Sequence, residues 1–477
     1  MMMVMKMKMM RQVLGRISAA ALCALAIAAQ PGPARAESLA DALRDAYINS
    51  GLLEQNRALL RAADEDVAQA VASLRPIIDW SADIQRDFAR SGNAGRARNT
   101  GETNANLGIV GSLLLYDFGR SDFLTEAAKE TVLATRETLR SVEQAVLLTA
   151  VRAYMDVIRN REFVALRRNN LRLLQEELRA ANDRFEVGEV TRTDVAQAQA
   201  AVALAQSGLA MAEGDLARAI EEFRQAVGRA PGDLRTPGDL TGLGEDVEAA
   251  KAAAMLRHPD ILQAQRNVTV AELNMRAAEA AKRPTLNLTG RLGTTNDLAD
   301  SEFSRSGQVG LELRGPIYQG GRLSSLERQA RAQRDQRLAQ LHLAGLQVRQ
   351  DVGDAFANLR AARAAREANI EAVRAARVAF EGTREEAKLG ARTTLDVLDA
   401  EQNMLDSEAN LISANADVVI AAYSVLAALG DLTASALNLG VQTYDPAAYY
   451  DLVKTAPVPL SPQGQKLDRV LRALGKN

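Results

Sequence analysis

Two segments of this chain repeat each other at long range. EVGEVTRTDVAQAQA, from Glu186, and KLGARTTLDVLDAEQ, from Lys388, align on Gly188 and Gly390 and share Thr191/Thr393, Asp194/Asp396, Val195/Val397 and Ala198/Ala400, all 202 residues apart. The same spacing holds upstream to Tyr116/Tyr318 and Gly119-Arg120/Gly321-Arg322, and downstream to Gly228/Gly430. Further upstream it becomes 208, where Ser50-Gly51 faces His258-Pro259 and Pro76 faces Pro284. One connection between Pro76 and Tyr116 is therefore six residues longer in the first copy than its counterpart. A duplication this regular means one structural unit built twice. The first unit spans 37–228, a Pro/Gly-rich stretch (RAPGDLRTPGDLTGLG, within 229–250) links it to a second at 251–430, and a segment at 431–477 closes the chain.

After each repeated aspartate the pattern is heptad. Val195, Val202, Leu209, Leu216 and Phe223 recur every seven residues, with Ala198, Ala205, Ala212, Ala219 and Ala226 between them. In the second copy Val397, Met404, Leu411, Val418 and Val425 alternate with Ala400, Ser407, Ala414, Ala421 and Ala428. This 3-4 alternation is a coiled-coil seam, and its small residues let helix axes approach closely. Residues 120–184 contain neither proline nor glycine. A helix of that length reaches roughly 100 Å at about 1.5 Å per residue. Gly188 and Gly390 are then the turns of two long antiparallel helical hairpins.

Ahead of each hairpin the period changes to two. In 77–88, Ile78, Trp80, Ala82, Ile84 and Phe88 alternate with Ile77, Asp79, Ser81, Asp83, Gln85 and Asp87; in 104–115, Ala105, Leu107, Ile109, Leu113 and Leu115 share a face. The second copy offers 285–293, with Leu286, Leu288 and Leu292, and 307–315, with Val309, Leu311 and Leu313. Segment 89–103, which contains glycine, and segment 294–306, which lies between Gly293 and Gly307, are polar and are expected as loops. Strands of about 9–11 residues, apolar on one side and polar on the other, suit a membrane β-barrel with a wet interior. They equally suit a soluble sheet packed on helices, and alternation alone does not separate the two. Four strands are too few to close a water-filled barrel, so a barrel requires several chains, and three would supply twelve strands.

The first 36 residues have the form of an export signal. Lys6, Lys8, Arg11 and Arg16 precede the apolar run Ile17–Ala29, and Ala34-Arg35-Ala36 forms an A-x-A cleavage site that leaves Glu37 as the first mature residue. The chain's single cysteine, Cys23, lies in this leader behind Leu22, so the mature part has no disulfide, thiol nucleophile or thiolate metal site. Without the leader's five basic residues, 53 of the 58 remain against 60 acidic ones, a net charge near −7 that gives no indication of nucleic acid binding. The longest apolar run of the mature chain, Val418–Leu429, is too short to span a bilayer as a helix. His258 and His342 lack partners at metal-ligand spacing, and His258-Pro259 marks a helix start. No phosphate-binding loop or nucleophile arrangement is present, so neither an enzyme nor a cofactor is expected.

These residues together resemble the TolC-type outer-membrane efflux proteins over essentially the whole mature sequence. The resemblance rests on YDFGR (116–120) and YQGGR (318–322) at the strand-to-helix steps, RFEVGEVTRTDVAQAQA (184–200) and LGARTTLDVLDAEQ (389–402), in this order and duplicated. It implies a mainly α chain with a membrane β-barrel. Coiled-coil hairpins of three chains would form an α-barrel across the periplasm, four strands per chain a twelve-stranded trimeric barrel in the outer membrane, and the closing segment, with YDPAAYY (444–450), part of an equatorial belt. It implies a passive exit duct for type I protein secretion or small-molecule efflux, energised by an inner-membrane ABC or proton-driven pump through a periplasmic adaptor. The rival reading is a soluble periplasmic coiled-coil scaffold without a pore.

By position, the resemblance makes Asp396 and Asp399 a gate and selectivity ring at the periplasmic tip, and Arg392 and Asp194 contacts that hold neighbouring hairpins shut. It also makes the turns at Gly188 and Gly390 adaptor contacts. Asp194 and Asp396 have a second reading, since an acidic residue just past a turn stabilises the first helical turn. Asp399 stands opposite Gln197, so no need common to both copies explains it. The second copy departs from the family in carrying Ala387 where the first has the tip aromatic, Phe185.

Overall fold

The computed structural model describes residues 37–473 except 94–95, 241, 245 and 299–301. The expected leader lies outside them. Two short helices, α1 (Leu39–Asn49) and α2 (Gly51–Ala72), lead into the hairpin β1 (Ile77–Asn93) and β2 (Arg96–Tyr116), followed by α3 (Arg120–Glu186) and α4 (Arg192–Val227). The second copy repeats the order with α5 (Val247–Arg257), α6 (Pro259–Ala280), β3 (Thr285–Asp297), β4 (Phe303–Arg314), α7 (Arg322–Lys388) and α8 (Thr394–Ala428). Two short helices, α9 (Ala448–Val453) and α10 (Pro462–Ala473), end the described chain.

The long helices follow from composition. Both α3 and α7 run 67 residues, about 100 Å at the usual rise. The heptad positions face inward as the spacing predicts: Val195, Ala198, Val202, Ala212, Ala219 and Phe223 are buried on α4, and Val397, Ala414, Val418 and Val425 on α8. Helix α8 buries a second stripe, Val397, Glu401 and Leu405, because it packs against α3 of the first hairpin as well as α7 of its own. Helix α8 is also long and apolar enough by composition to cross a membrane, contrary to the reading from uninterrupted runs. Its apolar residues Ala414, Ala416, Val418, Val419, Ala422 and Val425 are instead buried within the bundle.

The main core gathers α1, the middle of α3, and the distal ends of α4 and α8 around the fully buried Tyr154, Leu147 and Phe223. Tyr154 donates from its hydroxyl to the Arg235 carbonyl at 2.6 Å, anchoring the linker between the copies. There Arg229 meets Glu37 and Asp45, both at 2.7 Å. His258 starts α6 by accepting the Asp260 N–H on Nδ1 at 3.2 Å, with Pro259 in the first turn. The closing segment wraps α2 and α3: Tyr449 donates to Glu65 at 2.6 Å, and the Arg136 guanidinium lies over the Tyr450 ring.

The strands form one antiparallel sheet in the order β1-β2-β3-β4, so the two copies meet along β2 and β3. Cross-strand register places Ile78, Gly111, Gly290 and Val309 in one row and Trp80, Ile109, Leu292 and Gly307 in another, on the same face. This face is bare: Trp80 is 76% exposed and Val309 79%. The opposite face is hydrogen-bonded and polar, with Asn106 donating to Asp83 and Thr295 donating to Asn106, each at 2.8 Å. A bulge at Leu115 sets Tyr116, rather than Leu115, opposite Leu286.

The expected loops 89–103 and 294–306 are mostly strand, so all four strands outrun their expected ranges. β1 and β2 are 17 and 21 residues long, β3 and β4 13 and 12. Polar residues such as Arg90, Asn99 and Thr100 do not interrupt ladder pairing, because backbone hydrogen bonds are indifferent to whether the side chain meets lipid or water. The six-residue difference between the copies appears as a taller first hairpin.

Candidate functional site at the hairpin tips

Each long hairpin turns in the same way. Helix α3 ends with the Gly188 N–H bonded to the Phe185 carbonyl at 3.0 Å and the Glu189 N–H to the Arg184 carbonyl at 2.9 Å. Helix α7 ends likewise, Gly390 on Ala387 at 3.0 Å and Ala391 on Glu386 at 2.9 Å. These are Schellman turns, which need a left-handed residue just past the helix. Gly188 and Gly390 adopt φ of 79° and 78° with open space where a Cβ would lie, so backbone conformation rather than crowding calls for glycine.

Three residues later each chain reverses into a helix through a capping box. Thr191 donates from its N–H and its hydroxyl to Asp194 Oδ2 at 2.8 and 2.7 Å, while the Asp194 N–H donates back to Thr191 Oγ1 at 3.3 Å. Thr393 and Asp396 repeat this at 2.9, 2.8 and 3.2 Å. In both copies the threonine's bonds hold the aspartate's carboxyl below the ordinary carboxylate range. The helix-start role of Asp194 and Asp396 is therefore built into each chain.

The other tip residues are arranged differently. Arg392 pairs with Glu386 of its own turn at 2.9 Å. Asp194 is engaged with Thr191, and the expected contact between Arg392 and Asp194 is not made within the chain. Asp399 is exposed on α8, one turn beyond the Asp396 cap. Beside the glycines, Val187 and Leu389 occupy equivalent positions and stand 71% and 86% exposed, giving each tip an apolar point.

Sequence reasoning missed Glu401. It is 2% exposed, and neither of its carboxyl oxygens has a hydrogen-bond partner. Glu177 of α3 and Arg384 of α7 flank it, bonded to each other at 2.9 Å. Burial, reinforced by the charge of Glu177, pushes the Glu401 carboxyl up to about 7 against the pull of Arg384. The signal was present in the sequence: Val397, Glu401 and Leu405 are four apart, a stripe on one helical face with a charge at its centre.

The sequence profile of the outer membrane efflux protein family matches residues 42–229 and 252–431, the two copies of the repeat. The outer membrane efflux protein BepC of Brucella suis is 37% identical over 424 residues, covering 88% of this chain and 91% of that protein. Outer membrane protein TolC of Escherichia coli K12 is 26% identical over 419 residues, 84% of each chain. Among solved structures, the Campylobacter jejuni CmeC outer membrane channel shares the fold at a TM-score of 0.73 and 17% identity, covering 88% of this chain and 90% of that one. The Neisseria gonorrhoeae MtrE channel in its open state does so at 0.68 and 22%, covering 83% and 89%.

Proposed function

Because this chain belongs to the outer membrane efflux protein family and acts in the outer membrane, we propose that three copies assemble into the exit duct of a tripartite export system. The observation that carries the assembly is the sheet, four strands with a bare apolar face and no partner strand on β1 or β4 among the described residues. A bilayer accepts such a sheet only when its edges are paired, since an unsatisfied backbone N–H or C=O in hydrocarbon costs several kcal/mol. Joining β4 of one chain to β1 of the next closes twelve strands around a polar lumen.

The long hairpins then form a tube of about 100 Å into the periplasm. Their tips are its inner end, where Asp396 and Asp399 of three chains place six carboxylates around the axis, an arrangement that favours cations. Arg392 and Asp194, unpaired with each other inside one chain, meet across neighbouring hairpins in this reading and hold the end shut. The exposed apolar points Val187 and Leu389, flanking Gly188 and Gly390, are the surface for a periplasmic adaptor that couples the duct to an inner-membrane pump. The chain needs no cofactor for this role.

Native mass spectrometry in detergent should give a trimer, and the purified protein should conduct ions in a planar bilayer. A monomer that stays dissolved without detergent and is released with periplasmic contents would sink the proposal and favour a scaffold without a pore. Deleting the gene and comparing the secreted proteome with drug sensitivity then identifies the cargo, protein or small molecule.

A further inference from the structure

Glu401 is a buried acid at the junction of the two hairpins. Three helices enclose it: its own α8, α3 bearing Glu177, and α7 bearing Arg384. Glu176 and Arg184 of α3 and Lys388 of α7 line the small adjoining cavity of about 110 Å³, but the charges that act on Glu401 are Glu177 and Arg384. The guanidinium is committed to Glu177 at 2.9 Å. One cation thus stands among two carboxyls, and the carboxyl without donors is the one buried from water. A carboxylate in that position is costly, whereas a neutral carboxylic acid balances the trio.

The repeat supplies an internal control. The residues equivalent to Glu401 and Arg384 in the first copy are Gln199 and Asn182, both neutral and both exposed. A hairpin of this geometry therefore forms without either charge, and the acid is found only where the second hairpin seats on the first.

We propose that Glu401 is a proton-operated latch: protonated, it lets α8 seat against α3 and α7, and ionised, it loosens that seat and frees the second tip to move. The sign follows from the direction of the shift. The seated acid holds its proton more tightly than one in water, so seating is fully favoured below the ordinary value of 4.5 and weakens as pH rises to about 7. Across that window the ratio of seated to parted tips changes by at most about a hundredfold per chain. Acid closes the latch and alkali releases it.

The latch deepens the reading of the tips as a gate, and two measurements on the full-length protein in lipid separate them. The first is hydrogen exchange over residues 395–405 from pH 5 to pH 8, normalised at each pH to an unstructured peptide of the same sequence. The second is open probability in a planar bilayer over the same range. In the wild type both should rise with pH. Glu401→Gln should stay at its pH 5 level throughout, and Glu177→Gln, which frees Arg384 for Glu401, should move the transition to lower pH. Exchange that responds while conductance stays constant would uphold the latch and overturn the gate. Wild-type pH dependence of exchange in Glu401→Gln would overturn the latch. Should that variant fail to assemble, an unmoved transition in Glu177→Gln would overturn it equally.

Discussion

The two tips share a backbone and differ in their side chains. Their glycines agree in φ to within 1° and their capping hydrogen bonds to within 0.1 Å. Yet Phe185 faces Ala387 in the alignment, Gln197 faces Asp399, Asn182 faces Arg384 and Gln199 faces Glu401. What turns the chain is duplicated, and what touches surroundings is not. Within a single chain the second hairpin is enclosed on more sides, since α8 packs on both α7 and α3, whereas the position of Gln199 on α4 is open. A duplicated unit placed in two environments keeps its folding residues and diverges where the environments differ.

The strongest break in the comparison should come from the charged trio. Arg384→Ala leaves Glu177 and Glu401 facing each other without a cation. At pH 8 this should cost about 2–3 kcal/mol of local stability, less than for a fully buried pair because Arg384 is partly exposed. At pH 5 the cost should shrink, since a protonated Glu401 no longer repels Glu177. Asn182→Ala, the same position in the first copy, should change stability by less than about 0.5 kcal/mol. Hydrogen exchange over 376–388 and 174–186 reads both, and equal losses at the two tips would contradict the asymmetry.

Next come substitutions that should not discriminate. Gly188→Ala and Gly390→Ala force a Cβ into left-handed backbone at about 1–2 kcal/mol each, with no neighbour to aggravate or relieve the strain. Their costs should agree, and a cost at one tip double that at the other would show that assembly, not backbone, sets the turn. Thr191→Ala and Thr393→Ala remove equivalent caps, each worth about 1 kcal/mol by thermal unfolding or local exchange. The caps also carry a pH dependence opposite to that of the latch. Asp194 and Asp396 titrate below their ordinary value of 3.8, so their contribution is present above that pH and is lost as pH falls through the depressed value. Acid below about pH 3.8 should therefore fray both tips alike, even as it seats Glu401.

The sequence carried the parts of this fold that depend on local periodicity. Heptads marked the seams of α4 and α8, and Gly188 and Gly390 marked the turns, because each feature is set by a few neighbouring residues. Alternation found all four strands but not their ends, since Arg90 or Thr100 can continue a ladder as well as leave it. The sheet order was not legible at all: β2 and β3 pair across 170 residues or more, and nothing local records that partnership. At the tip, Asp194 and Asp396 gave themselves away by duplication. Glu401 left only the weaker trace of a charge between Val397 and Leu405 on an apolar stripe, which duplication does not pick out. Its burial depends on α3, and only the assembled bundle brings Glu177 and Arg384 beside it.

Asp399 is the smallest and sharpest test of the comparison. It is exposed on α8 and has no hydrogen bond or ion pair among the described residues, so it does nothing for the folding of a single chain. Asp399→Asn should therefore leave stability within about 0.5 kcal/mol of wild type. If three copies of it line the closed end of the tube, the same change removes three charges from a narrow ring. Divalent-cation block in a planar bilayer should weaken, and Asp396→Asn should weaken it further while also loosening the cap. The swap in the first copy, Gln197→Asp, adds three carboxylates to the other hairpin, and here the two readings of the tip diverge. A ring formed by the second copy alone predicts no change in block. A ring formed by both hairpins predicts tighter block, and unchanged block in Asp399→Asn would remove that residue from the constriction.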